Sequence, residues 1–271
     1  MNIKNRLLKL MTKNQDIRFY YADVTDISKE SCFPEMKTDA AKELYQKIFT
    51  ICCLMRGFLE QEDQRIKIFV QYERKECYVN CNIDGEGRVH CLFSEELASF
   101  DGDISSLTGT GAYLSLTKIS RMEGKVTGTI ALSSHSFEQC LSDYYRQSEQ
   151  TETIFIVYVN SGRVQGCMIQ PLPFALREAV KAVENSVAFY RETIGEALLS
   201  FCDVVEEYTL STDCKCRKEM FAGALLSLET EELRKSAENS GEELVCGICG
   251  KKYLFTAKEI ETIIKVKEQY E

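Results

Sequence analysis

Apolar residues recur along this chain with two periods, and the alternation between them outlines the elements. Residues 17–24, IRFYYADV, are rich in aromatic and branched side chains and predict a strand. After Pro34, the positions Leu44, Ile48, Ile51, Cys52, Met55 and Leu59 share one helical face, so a helix should begin near Thr38 and Asp39. The adjacent Cys52 and Cys53 fall on that helix and read as small core residues. Ile66, Ile68, Val70 and Tyr72 alternate, as do Cys77, Val79, Cys81 and Ile83, and a turn at 84–87 returns the chain as a hairpin with its thiols facing the core. Further strands are predicted at 112–119 and 126–132. Ser136 and Gln139 form a capping box for a helix carrying Phe137, Cys140, Leu141, Tyr144 and Ser148. Residues 153–159 and 164–170, around a turn at 160–163, complete an antiparallel pair.

Pro171 and Pro173 then mark a boundary, because the residue before a proline is pushed out of the helical region. Beyond it Val180, Val183, Val187, Tyr190, Ile194, Ala197, Phe201, Val204 and Tyr208 are spaced by three and four, a helical stripe. Gly195, the β-branched residues and the acids Glu192, Glu196, Asp203, Glu206 and Glu207 make it a poor helix in isolation, so its order should depend on docking. A two-helix connector or a coiled-coil arm would show the same stripe. At the other end, MNIKNRLLKLMTKNQ is too interrupted for a signal-peptide core and reads as a short amphipathic helix. The fold class is therefore α+β: a mainly antiparallel sheet core with packed helices over 1–172, a helical linker over 173–210, and a small C-terminal metal-binding domain over 211–271.

The chemistry concentrates in that last segment. Cys214 and Cys216 lie one residue apart and Cys246 and Cys249 two apart, with 29 residues between the pairs. Zinc favours sulfur and takes four ligands in a tetrahedron, and two short loops can each supply two corners. Glycines at 247 and 250 suit the positive φ of a tight knuckle. Cysteines this close can also reach disulfide geometry with one another, so the site reads either as a permanent staple or as a pair of oxidisable couples. A second metal site from Cys77, Cys81, His90 and Cys91 is the alternative to the cysteine-lined hairpin.

Composition narrows the function. The net charge of −9, with 10 basic against 12 acidic residues in 211–271, disfavours nucleic acid. The one long uncharged apolar run, 154–159, is far short of the roughly 20 residues that span a bilayer. Thirteen cysteines without a disulfide-scaffold layout read as reduced thiols in a cytoplasmic protein. Gly109-Thr-Gly111 lacks the rest of a phosphate loop, and His90 and His135, read as surface or turn residues, sit near no nucleophile motif, so no enzyme chemistry stands out.

Cys-x-Cys, the stretch ALLSLETEEL, Cys246-x-x-Cys249-x-x-x-Tyr253-x-Phe255 and an acidic helix together resemble the C-terminal zinc region of the heat-shock protein 33 family. CLSDYYRQSEQ and MIQPLP are similar to the end of that family's core, and the likeness runs from Asp101 to Glu271. It implies a redox-regulated, ATP-independent holdase, not an enzyme. The reduced chain would hold one Zn2+ through Cys214, Cys216, Cys246 and Cys249. Oxidation would form the Cys214–Cys216 and Cys246–Cys249 disulfides, unfold the linker, and allow homodimers to bind unfolding client proteins. Arg217, in place of a small polar residue, Phe174, in place of a glycine, and the nine cysteines outside the metal set depart from the family pattern. The alternatives are a constitutive zinc-ribbon adaptor and a Cys246-x-x-Cys249 thiol-disulfide oxidoreductase.

Overall fold

Residues 6–12 form a strand, not the expected N-terminal helix. In the computed structural model, which describes residues 4–30, 34–132, 136–160 and 162–270, β1 (Arg6–Thr12) pairs antiparallel with β2 (Ile17–Asp23). Leu7 belongs to one hydrophobic cluster and Leu8 and Leu10 to another. A strand buried on both faces loses the polar–apolar alternation that would identify it, which is why RLLKLMT reads as helix.

The chain forms two compact units, Met1–Asp213 and Cys214–Glu271. In the first, β1 and β2 are followed by α1 (Ile27–Glu30), α2 (Asp39–Leu54), β3 (Arg65–Gln71), β4 (Tyr78–Asp84), β5 (Val89–Phe93), α3 (Glu95–Ala98), β6 (Tyr113–Ser120), β7 (Gly124–Ala131), α4 (Phe137–Ser148), β8 (Ile154–Asn160), β9 (Arg163–Pro171), α5 (Arg177–Phe189), α6 (Ile194–Phe201) and β10 (Cys202–Thr209). Two five-stranded antiparallel sheets result, ordered β10-β1-β2-β9-β8 and β5-β4-β3-β6-β7.

Between the sheets runs α2, which touches β2, β8 and β9 of one and β4 and β5 of the other. Thr38 caps it by accepting from the Ala41 N–H, and every residue from Ile48 to Leu54 is buried. A helix apolar on all sides is stable only when covered on all sides, and Cys52 and Cys53, both fully buried, are core residues as expected. Phe49, fully buried and stacked 5.6 Å from Tyr45, anchors the layer. Phe49→Ala should cost the first unit about 3–5 kcal/mol, read as a lowered urea midpoint with an unchanged slope.

The opposite face of the first sheet is covered by α5 and α6, through Val180, Val187, Ile194 and Leu198 packed on Leu8, Leu10, Ile17, Phe19 and Ile169. The stripe predicted to Tyr208 is helical only to Phe201. Residues 202–209 instead form β10, because Val204, Val205 and Tyr208 favour extended backbone and β1 offers an unpaired edge. Lys9 pairs with Glu206 at 3.0 Å, Arg6 pairs with Glu207, and the Arg56 guanidinium lies 4.2 Å over the Tyr208 ring.

The cysteine-lined hairpin is present, with a correction. Cys81 and Cys91 face each other across β4 and β5 and are joined by a disulfide, whereas the sequence reading had them as reduced thiols. His90, opposite Asn82, is buried rather than a surface residue, and alternation along β5 places it on the face away from Cys91, so the hairpin does not assemble the alternative metal site. His135 lies outside the described residues.

In the second unit α7 (Lys218–Leu226) and α8 (Thr230–Glu238) precede the hairpin β11 (Gly241–Val245) and β12 (Lys252–Thr256), and α9 (Ala257–Tyr270) follows. The segment ALLSLETEEL is not one helix: it breaks at 227–229, where Glu229 and Glu232 make a reciprocal capping box that starts α8. Helix α7 begins at Lys218 without a side-chain cap from Arg217, and Lys218 pairs with Glu259 at 2.6 Å.

Candidate metal centre

The hairpin turn at 246–251 makes one knuckle. Cys246 N–H donates to the Lys251 carbonyl at 2.8 Å and Gly250 N–H to the Cys246 carbonyl at 2.9 Å, which closes the loop and turns both side chains to the same side. Gly250 has φ 73, the conformation the sequence called for, but Gly247 does not share it. The second knuckle is the extended segment before α7, carrying Cys214 and Cys216.

Together they bring all four sulfurs within 4.8 Å of one another. Cys214 Sγ lies 3.9 Å from Cys246 Sγ, and Cys216 Sγ lies 3.5 Å from Cys249 Sγ. Four sulfurs at the zinc–sulfur distance would stand about 3.8 Å apart around a tetrahedron, so the cluster matches a tetrathiolate site in spacing and in donor type. It is the one such group among the described residues. Cys246 is buried within the unit's small core of Leu225, Leu233, Tyr253, Phe255, Ile260 and Ile264; the other three sulfurs are partly exposed.

The thiols are not equivalent. Burial pushes Cys214 up to about 12. Burial also raises Cys216, but the Tyr253 hydroxyl and the neighbouring thiols outweigh it and bring this group down to about 7. Tyr253 O–H donates to both the Cys216 Sγ at 3.1 Å and the Cys216 carbonyl at 2.8 Å. That bond in turn holds the phenol protonated. Tyr253 and Phe255 take the inward positions of β12, and Phe221 lies 4.9 Å from the Tyr253 ring, so the hydroxyl is held in place by packing. In the sequence Tyr253 stands out only as part of a motif. Its position four residues after Cys249, on the inward register of a strand that starts at the knuckle, is the signal that gives it this role.

A hydrogen bond to a ligating group fixes its orientation, and losing such an outer-shell partner typically costs about 10–100-fold in metal affinity. Tyr253→Phe should therefore leave the fold intact and weaken zinc retention by about 10-fold or more, measured by competition with a chromogenic chelator.

The sequence model of the Hsp33 protein family matches residues 5–256. The 33 kDa chaperonin of Lactiplantibacillus plantarum is 30% identical over 184 residues, covering 60% of this chain and 62% of that protein. The 33 kDa chaperonin of Bacillus velezensis is 24% identical over 283 residues, covering 95% of this chain and 97% of that protein. A crystal structure of the 33 kDa chaperonin, or heat shock protein 33 homolog, of Thermotoga maritima superimposes with a TM-score of 0.84 over 98% of this chain and 99% of that one. At 18% identity this last likeness speaks for the fold.

Proposed function

The chain belongs to the Hsp33 protein family, and from that premise we propose that it is an ATP-independent holdase chaperone governed by the oxidation state of its C-terminal cysteines. The observation that supports this most is the gathering of four thiols within 4.8 Å in a unit whose own apolar core is small. Cys214, Cys216, Cys246 and Cys249 would hold one zinc ion per chain, which when bound keeps them deprotonated and ties the two knuckles together.

Under a peroxide-class oxidant the local pairs, Cys214 with Cys216 and Cys246 with Cys249, each become a disulfide. Two thiolates give up two electrons, one S–S bond forms, and the peroxide takes up two protons from solvent and is reduced to two waters. Each disulfide withdraws two ligands, and a module with so little core of its own then unfolds.

In this reading residues 1–172 are the client-binding core, 173–210 a metastable linker and 211–271 the redox-switch domain. Phe174 is 92% exposed and Phe189 80%, so the linker leaves large apolar side chains in solvent, a mark of low local stability. Departure of α5 and α6 would bare Leu8, Leu10, Ile17, Phe19 and Ile169, a continuous apolar sheet face for unfolding clients, bound by non-directional contact. Activated chains act as homodimers in the cytoplasm. The same chemistry makes the chain a binder and not an enzyme. Cys246 and Cys249 sit in a hairpin turn, not at the helix start that lowers the pKa of an oxidoreductase nucleophile. Among the described residues, no helix is long and apolar enough to cross a membrane.

The test is light scattering of a thermally unfolding model client, without nucleotide, mixed with reduced or peroxide-treated protein. The oxidised protein should suppress aggregation near stoichiometry and the reduced protein should not. Equal behaviour of the two would favour a constitutive zinc-ribbon adaptor instead.

A further inference from the structure

The first unit carries a second cysteine pair placed for redox chemistry, outside the metal centre. Cys81 and Cys91 are register partners in the β4–β5 hairpin, with Cα atoms 4.1 Å apart, and both are buried. The backbone bonds Ser94 N–H to Tyr78 O and Asp84 N–H to Arg88 O fix which facing pairs share hydrogen bonds, and Cys81–Cys91 falls between them. In an antiparallel ladder those intervening positions bring the side chains closest. One strand of the pair, β5, is the sheet edge.

What the hairpin holds gives the pair a consequence. Its turn grips the chain just after β10: Val89 N–H donates to the Ser211 carbonyl at 2.8 Å, and Ser211 N–H to the Gly87 carbonyl at 2.9 Å. Gly87 has φ 82, and a Cβ there would stand 2.0 Å from the Thr209 carbonyl oxygen, so only glycine allows the approach. Asp84 shapes the turn by accepting from the Glu86 and Arg88 N–H groups, and the Arg88 guanidinium pairs with its carboxylate at 2.6 Å. The gripped Ser211 is three residues ahead of Cys214 in sequence.

We propose that Cys81 and Cys91 are a second oxidation site of this chain, and that their disulfide locks the turn that clamps residues 209–211. With a peroxide-class oxidant one thiol becomes a sulfenic acid and releases water. The second sulfur then displaces the hydroxyl, which leaves as a second water, and the S–S bond joins β4 to β5. Both sulfurs are buried, so oxidation waits on fraying of the edge strand and proceeds more slowly than at the partly exposed Cys216 and Cys249. Once formed, the bond holds the turn together and keeps 209–211 docked under the conditions that oxidise the C-terminal cysteines. This inference stands apart from zinc and from chaperone activity.

The test has two readouts on the full chain. Protein reduced with a phosphine and then treated with hydrogen peroxide is alkylated, digested without reductant and mapped by mass spectrometry; a peptide linking Cys81 to Cys91 should appear after the C-terminal thiols are lost. Amide hydrogen exchange at Val89 and Ser211 is then compared between oxidised wild type and oxidised Cys81→Ala/Cys91→Ala. The variant should exchange about tenfold faster or more, the effect expected for losing a short cross-link. If alanine prevents folding, Cys91→Val keeps the apolar face filled and serves the same comparison. Full alkylation of Cys81 and Cys91 after Cys214, Cys216, Cys246 and Cys249 are oxidised would overturn the site. Equal exchange in wild type and variant would overturn the clamp.

Discussion

Cys246→Ser is expected to leave residues 214–271 without zinc and without a fixed fold. Cys246 is the most enclosed of the four thiols: in the proposed function it would be a metal ligand, and it is also a wall of the apolar cluster with Leu225, Leu233, Tyr253, Phe255, Ile260 and Ile264. So few buried side chains in a unit this short supply little stability of their own. Zinc binding in small modules contributes on the order of 10–16 kcal/mol, comparable with the whole stability of an ordinary domain, about 5–15 kcal/mol. The zinc content should fall from about one per chain to near zero, and the amide signals of β11 and β12 should collapse to unfolded positions. Those of α2 and of β3–β6, in the other unit, should stay dispersed.

Leu198→Asp is expected to yield a protein that binds clients while still reduced and zinc-loaded. Leu198 is fully buried in α6 against the first sheet. A carboxylate there must be buried without a partner or must leave, and the penalty of several kcal/mol for an unpaired buried charge exceeds what a short helix can resist. Helix α6 should undock and expose Phe19 and its neighbours without oxidation. The check is aggregation suppression by reduced variant, with metal content and far-ultraviolet dichroism confirming that only this segment has melted. If the reduced variant has lost α6 and still protects no client, the sheet beneath α6 is not the client surface.

How far the sequence foretold the molecule depends on how many faces each element buries. Elements with one buried face, such as β3 with Ile66, Ile68 and Val70, or α4 with Cys140, Leu141 and Tyr144, showed their period plainly and are found where expected. Strand β1 is covered on both faces and lost its alternation. Residues 202–209 kept a helical spacing by coincidence, and a nonlocal partner, the free edge of β1, decided their conformation. Such pairing between residues nearly 200 apart leaves no local trace.

The four-thiol cluster was legible because two close cysteine pairs bring the right donors for a metal site, and the structure gathers the same four thiols. The Tyr253 hydroxyl was hidden because nothing local says that β12 returns its inward face to Cys216. The Cys81–Cys91 pair was hidden differently. The hairpin was read correctly, but the register that sets these two residues opposite each other depends on the length of the turn at 84–88.

The measurement that bears most directly on the whole account follows three quantities in one sample during peroxide treatment at mildly raised temperature: zinc captured by a chromogenic chelator, free thiols remaining at Cys214, Cys216, Cys246 and Cys249, and protection of a model client. The account predicts that about one zinc per chain appears as those four thiols disappear, and that client protection rises with the same time course. Zinc that stays bound through oxidation, or that is lost with no gain in protection, would contradict it and make the four cysteines a structural staple.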